Sequence, residues 1–206
     1  MGLSMGLGLG SSKVKPPTIY DYLDLVHAYD GEEFTGYSIN KFWYMGEHGN
    51  LPAMLKPVIP LGVDGNYKII SIAIEAFKDA PIQSIAFNED SVIHFNNQAF
   101  EGCIVLTSII IPADIDTGAF VFNGCTSLVY ADVSKLFSES EFPSIGRGLF
   151  FGCPLTTIII GRRTKIYDEA GTMGTNGNFR TDYIASGEAA GTYIWNGVNR
   201  WELQGA

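Results

Sequence analysis

Apolar positions in the second half of the chain recur in groups. Each group closes on an alternating pair: Ile85 and Phe87, Ile109 and Ile111, Ala131 and Val133, Ile158 and Ile160. Alternation puts both members of a pair on one face of an extended strand. Three positions before each pair stands an apolar anchor, Ile82, Leu106, Leu128 or Leu155. Further upstream comes a phenylalanine preceded by a small or apolar residue, at Phe77, Phe100, Phe120 and Phe150. Three groups then carry a Gly-Cys step, ending in Cys103, Cys125 and Cys153. The pattern predicts a repeated unit of aromatic, glycine turn, anchor and buried strand. A second alternating pair, Ile70 with Ile72 and Ile93 with Phe95, precedes the first two phenylalanines.

Before residue 66 the pattern changes. Thr18 lies three before Asp21, an acidic form of the capping box. Ile19, Tyr22, Leu23 and Val26 then follow helical spacing, and Asp30-Gly31 ends the run. This predicts a helix over 18–29. Residues 31–65 carry Pro52, Pro57 and Pro60 and no clear period, with Phe42, Trp43 and Tyr44 as core or interface anchors. Residues 1–17, MGLSMGLGLGSSKVKPP, alternate Gly with apolar residues and lack the basic start and continuous apolar core of a signal peptide. Extended on a partner, they would bury Leu3, Met5, Leu7 and Leu9 along one face. A frayed tail is the alternative.

At the other end, residues 171–191 read as loop. GTYIWNGVNRWELQ predicts a hairpin about Asn196-Gly197, with Tyr193, Trp195 and Trp201 as its packing face. The chain thus divides into an arm (1–17), an N-terminal helix and capping segment (18–65), a repeat region (66–165) and a β-rich cap (166–206). The expected class is β-rich α+β.

The Phe-to-Phe intervals of 23, 20 and 30 residues bracket a leucine-rich-repeat unit with one insertion near 134–147. AFEGCIVLTSIIIP, closed by Pro112, resembles the BspA-type leucine-rich repeat. The first unit departs by having Asp79-Ala80 for Gly-Cys, and the fourth has Gly161 for Pro. Over 66–162, the resemblance implies a curved solenoid, one strand per repeat, with a binding role and no catalytic residue. The C-terminal GTYIWNG…W resembles endings of phage tail and fibre proteins. LVHAYDGEEFTGYS, residues 25–38, faintly resembles the opening of laminin-G-like modules in phage structural proteins.

Composition narrows the function. The 46% hydrophobic content supports a core, and 24 Gly with 13% aromatics suit short strands and many turns. A net charge of −9 argues against nucleic-acid binding. No run of 18 apolar residues exists to span a membrane. His27, His48 and His94 are scattered, and neither paired CxxC nor GxSxG occurs. Glu32-Glu33 and the Glu139-Ser140-Glu141 cluster read as solvated loop charges. Three cysteines at equivalent positions read as free buried thiols, since stacked side chains pointing one way oppose a disulfide. No cofactor or metal is expected.

These readings lead to a non-enzymatic phage virion structural protein presenting a repeat surface, with host-surface attachment as its role. Its partners would be other virion proteins, held through the arm, and a host surface protein or glycan. A homo-oligomer or larger assembly is expected. A bacterial cell-surface adhesin is the alternative, and a carbohydrate-active enzyme the third reading.

Overall fold

The computed structural model describes residues 22–30, 33–42, 56–59, 68–88, 93–112, 117–136, 144–167 and 171–205. Within them the protein is β-rich with one short helix.

The repeats stack in parallel. Strands β4 (Ile69–Ile72) and β6 (His94–Phe95) pair in parallel on one side. On another side β7 (Ser108–Ile110), β8 (Tyr130–Val133) and β10 (Thr157–Ile160) form a parallel ladder. Short parallel pairs join β3 (Val58–Ile59) to β5 (Ala86–Phe87), and β9 (Ser144–Ile145) to β11 (Lys165–Ile166). Between the two sides each repeat makes a tight turn, and these turns also hydrogen-bond to one another. Phe77 N donates to Ala99 O, Phe100 N to Val121 O, Phe122 N to Leu149 O and Phe150 N to Thr172 O.

The turn explains the glycines. The residue two after each core phenylalanine has positive φ: Asp79 (57°), Gly102 (72°), Gly124 (71°) and Gly152 (78°). Glycine adopts this conformation without the Cβ clash an L-residue meets. A second left-handed site lies two before the phenylalanine and is filled by Glu75, Gln98, Phe120 and Gly148.

The centre is a column of aromatic rings. Phe42, Phe77, Phe100, Phe122 and Phe150 stack with centroid separations of 4.8, 4.8, 5.2 and 5.4 Å. That spacing follows the strand separation of about 4.8 Å, so equivalent side chains meet coil by coil.

Two expectations fail here. The helix over 18–29 is not formed: Leu23–Asp30 is strand β1, paired antiparallel with β2 (Glu33–Phe42). Residues 18–21 lie outside the described residues. A helix would bury Val26 beside Tyr22 and Leu23, yet Val26 is 41% exposed while Leu25 packs on the core. Strand β2 pairs in parallel with β4, so the hairpin extends that sheet in the order β1-β2-β4-β6. Tertiary pairing overrides a short helical pattern.

The stretch 171–191, read as loop, contains helix α1 (Phe179–Ala185). Asn178 caps it by accepting from Thr181 N. Phe179 and Tyr183, four apart, are its buried residues. The hairpin of β12 (Gly191–Trp195) and β13 (Trp201–Leu203) pairs antiparallel with β10 and completes a five-stranded sheet, β13-β12-β10-β8-β7. Its turn spans Asn196 to Arg200, where Asn196 Oδ1 accepts from the backbone N–H of Val198, Asn199 and Arg200. Trp201 joins the helix to the hairpin: its N–H donates to Asp182 Oδ2 (2.8 Å) and its indole N–H to Asn176 O (2.8 Å).

Candidate binding face

Each strand of the five-stranded sheet has one face in the core and one outward. The inward residues are Ile109, Ala131, Val133, Ile158, Ile160 and Tyr193, all at 1% exposure or less. The outward residues lie in register across the strands. Ser108, Tyr130, Thr157, Ile194 and Glu202 form one row. Ile110, Asp132, Ile159 and Thr192 form the next. Ile110 and Ile194 are 52% and 41% exposed.

Polar groups on this face are held in place. Asp132 Oδ1 accepts from Ser134 N (2.9 Å) and Ser134 Oγ (2.6 Å). Burial, and then the Asp132 charge, raise the pKa of the neighbouring Tyr130 phenol, so it stays a neutral donor. At one end of the face a cleft of about 230 Å³ is lined by Ala86, Phe87, Ile110, Pro112 and Lys135.

The residues that the sequence marks as repeat core lie inside the coils. Phe77, Phe100, Cys103, Leu106, Ile109, Ile111, Cys125, Leu128, Phe150, Cys153, Leu155, Ile158 and Ile160 are all buried. Phe120 is different and must be corrected. It is only partly buried, and its place in the aromatic column is taken by Phe122. The core phenylalanine stands three before the cysteine, as in Phe100-x-Gly-Cys103 and Phe150-x-Gly-Cys153, and Phe122-x-Gly-Cys125 keeps that spacing. Phe120 instead occupies the left-handed turn site, edge-on to Phe151 at 6.3 Å and beneath the Arg147 guanidinium at 5.7 Å. Leu3, Met5, Leu7 and Leu9 of the arm, with Trp43, Tyr44 and His48, lie outside the described residues.

The three cysteines are free thiols that form a ladder. Cys103 Sγ donates to Phe77 O (3.1 Å), Cys125 Sγ to Phe100 O (3.2 Å) and Cys153 Sγ to Phe122 O (3.0 Å). Each thiol thus ties its coil to the preceding one. The pKa values of Cys103 and Cys153 are pushed far above the usual thiol range, first by the adjoining Cys125 sulfur and then by burial. We assign all three as protonated, because each sulfur faces a carbonyl oxygen that a thiolate would repel. Among the described residues no group of three His, Cys, Asp or Glu side chains could hold a metal ion.

The stacked units match a known repeat. The model of the BspA type leucine-rich repeat region matches residues 63–171, in six copies. The chain belongs to the BspA-type leucine-rich-repeat family. Among solved structures it is similar to a leucine-rich-repeat protein of T. pallidum, TpLRR, at 17% identity. That match covers 68% of this chain and 80% of the other, with a TM-score of 0.44. No curated protein matches.

In this BspA-type chain the turns carry a second ladder, of charges. Lys78 Nζ lies 2.6 Å from Glu75 Oε1 and 3.0 Å from Glu101 Oε2. Glu101 also accepts from Gln98 (2.8 Å) and from Asn123 (2.7 Å) on the next repeat. Burial alone would raise the Glu101 pKa, but hydrogen bonds from Lys78 and Asn123 outweigh it and hold the carboxyl below its ordinary 4.5. Bonding to Glu75, and then to Glu101, holds Lys78 above its ordinary 10.5.

These features stabilise; the outward sheet residues are the ones a partner can reach. Ser108, Ile110, Tyr130 and Asp132 carry no repeat signature of their own, because they fill the variable alternate positions beside the apolar pairs. That alternation was itself the signal, since residues between inward positions must face out.

Proposed function

We propose that the chain is a non-enzymatic binding module. It is a short leucine-rich-repeat solenoid, closed at one end by the β12–β13 hairpin, and its outward sheet face docks a protein partner. The observation that carries this reading is the register of that face: exposed Ile110 and Ile194 stand among Ser108, Tyr130, Asp132 and Thr157 on strands fixed by inter-strand hydrogen bonds. Apolar side chains inside a polar surround on a rigid platform suit a protein interface.

The module fits two settings. One is a bacteriophage virion, as a structural protein anchored to other virion proteins by the arm and turned towards a host surface. That setting rests on the Gly-Leu arm and on the phage-like ending, GTYIWNGVNRWELQ. The other is a bacterial surface, where the repeats serve as an adhesin; membership of the BspA-type family favours this setting. Immunogold electron microscopy of purified particles and of cells from one culture separates them. Gold on the particles is the result expected for the virion setting. Gold confined to the cell envelope contradicts it and selects the adhesin. Release of reducing sugar from a glycan panel by the purified chain would overturn the non-enzymatic part.

A further inference from the structure

The outer sheet is split at one end. Ser84 and Ser108 form a parallel bridge, and beyond it β5 and β7 no longer pair. The cleft of about 230 Å³ opens there. Successive residues of a strand direct their backbone groups to opposite edges. Ala86 N donates to Pro57 O, so Phe87 directs its N–H and C=O towards β7. Ile111 N donates to Asp132 O, so Ile110 directs its own towards β5. Two strand edges therefore face each other across the cleft with no ladder between them. An open edge is a template for a further strand.

The lining and the adjoining sequence describe what fits. Ile85, Phe87 and Pro112 lie on the core side of the cleft, Ala86 and Ile110 on the outer side. A strand seated between them turns every second side chain inward, so its apolar residues must alternate. The stretches 88–92, 112–116 and 136–143 continue β5, β7 and β8. They carry Glu89, Asp90, Asp114, Asp116, Glu139 and Glu141 and no Lys or Arg. An occupant that is basic beyond its apolar part complements them. Residues 1–17 of this chain have both properties: Leu7 and Leu9 alternate with Gly6, Gly8 and Gly10, and Lys13 and Lys15 follow.

We propose that the cleft seats this arm from a second copy of the chain, as a strand added between β5 and β7. Running parallel to both, the arm would set Leu7 and Leu9 on Ile85, Phe87 and Pro112, with Gly8 level with Ala86 and Ile110. Lys13 and Lys15 then lie towards the acidic stretches. The arm enters its own fold at β1, in the separate sheet β1-β2-β4-β6. Arm and cleft are thus different surfaces, and their contact links one copy to the next.

The test is disulfide cross-linking of two full-length variants, Gly8→Cys and Ala86→Cys, mixed under mild oxidation. Neighbours across parallel strands lie about 4.8 Å apart, within the reach of a disulfide. Cys103, Cys125 and Cys153 are buried and stay out of the reaction. The mixture should give a covalent heterodimer. Adding Leu7→Asp and Leu9→Asp to the Gly8→Cys chain should lower its yield by about tenfold. In sedimentation the wild type should self-associate, and more weakly as salt is raised. No heterodimer, a yield indifferent to the Leu7 and Leu9 changes, or a wild type monomeric at every concentration would overturn the proposal. So would a monomeric intrachain bond in a chain carrying both cysteines, which would give the cleft to the chain's own arm. Docking of a host partner on the outer face is read separately, by cell binding, so either reading can fail alone.

Discussion

At the residue scale, the repeat is governed by spacing more than by residue type. Phe120 and Phe122 are both phenylalanines before Gly124-Cys125, and only one can stack. The constant Phe-x-Gly-Cys step was present in the sequence and selects Phe122. The attraction of Ala119-Phe120, which copies Ala99-Phe100, hid it. Backbone conformation separates the two positions physically: Phe120 has φ of 58° and lies partly exposed, while Phe122 is 0% exposed. Phe122→Ala should therefore cost about 3–5 kcal/mol in urea unfolding, as a cavity opens in the aromatic column. Phe120→Gly removes contacts with Phe151 and Arg147 but relieves a left-handed residue, and should cost no more than about 1 kcal/mol. Equal losses at the two positions would contradict this register.

Glu101 gives a second residue-scale prediction, in pH. Its folded pKa is depressed, so its contribution is present above its unfolded value near 4.5 and is lost as pH falls through the folded value. Melting temperatures measured from neutral pH into the acid range should fall more steeply for the wild type than for Glu101→Gln. Parallel curves would show that the Lys78–Glu101–Asn123 ladder adds nothing measurable, the usual fate of an exposed pair.

At the element scale, the strands of the repeats were legible and the flanking elements were not. Alternating pairs such as Ile158 and Ile160 state a strand directly, and repetition of the unit reinforces each reading. Leu23 to Asp30 has no such support. Its apolar residues satisfy helical and strand spacing alike over eight residues. The choice is made by β2, which must pair with β4 on one edge and leaves the other for β1. Helix α1 was missed because seven residues hold too little period to read, and its apolar content is two aromatics four apart. Its position depends on a contact no local pattern shows, the Asp182 carboxylate accepting from Trp201 N. Asp182→Ala should destabilise the C-terminal segment by about 1–3 kcal/mol, because a buried backbone donor loses a charged acceptor. Tryptophan fluorescence during urea unfolding, to which Trp195 and Trp201 of this segment contribute, reads this out, and an unchanged midpoint would contradict it.

At the scale of the whole molecule, no single repeat can bury its own core face, so stacking creates the fold and the outward sheet face together. The β12–β13 hairpin lies along β10 and lengthens that face with Thr192 and Ile194. The repeat character could be read before any coordinates. The proposed binding face could not, because its residues vary from unit to unit and only register brings Ile110, Tyr130 and Ile194 onto one surface.

The central claim is that this face is where the module binds. The direct measurement is saturable binding of fluorescently labelled chain to intact bacterial cells, comparing wild type with the double variant Ile110→Gln, Ile194→Gln, which adds no charge opposite Asp132 or Glu202. Both sites are exposed, so the variant should keep its melting temperature. The account predicts that its affinity falls by about tenfold or more, as the apolar part of the interface becomes polar. Undiminished binding by a fully folded double variant would contradict it.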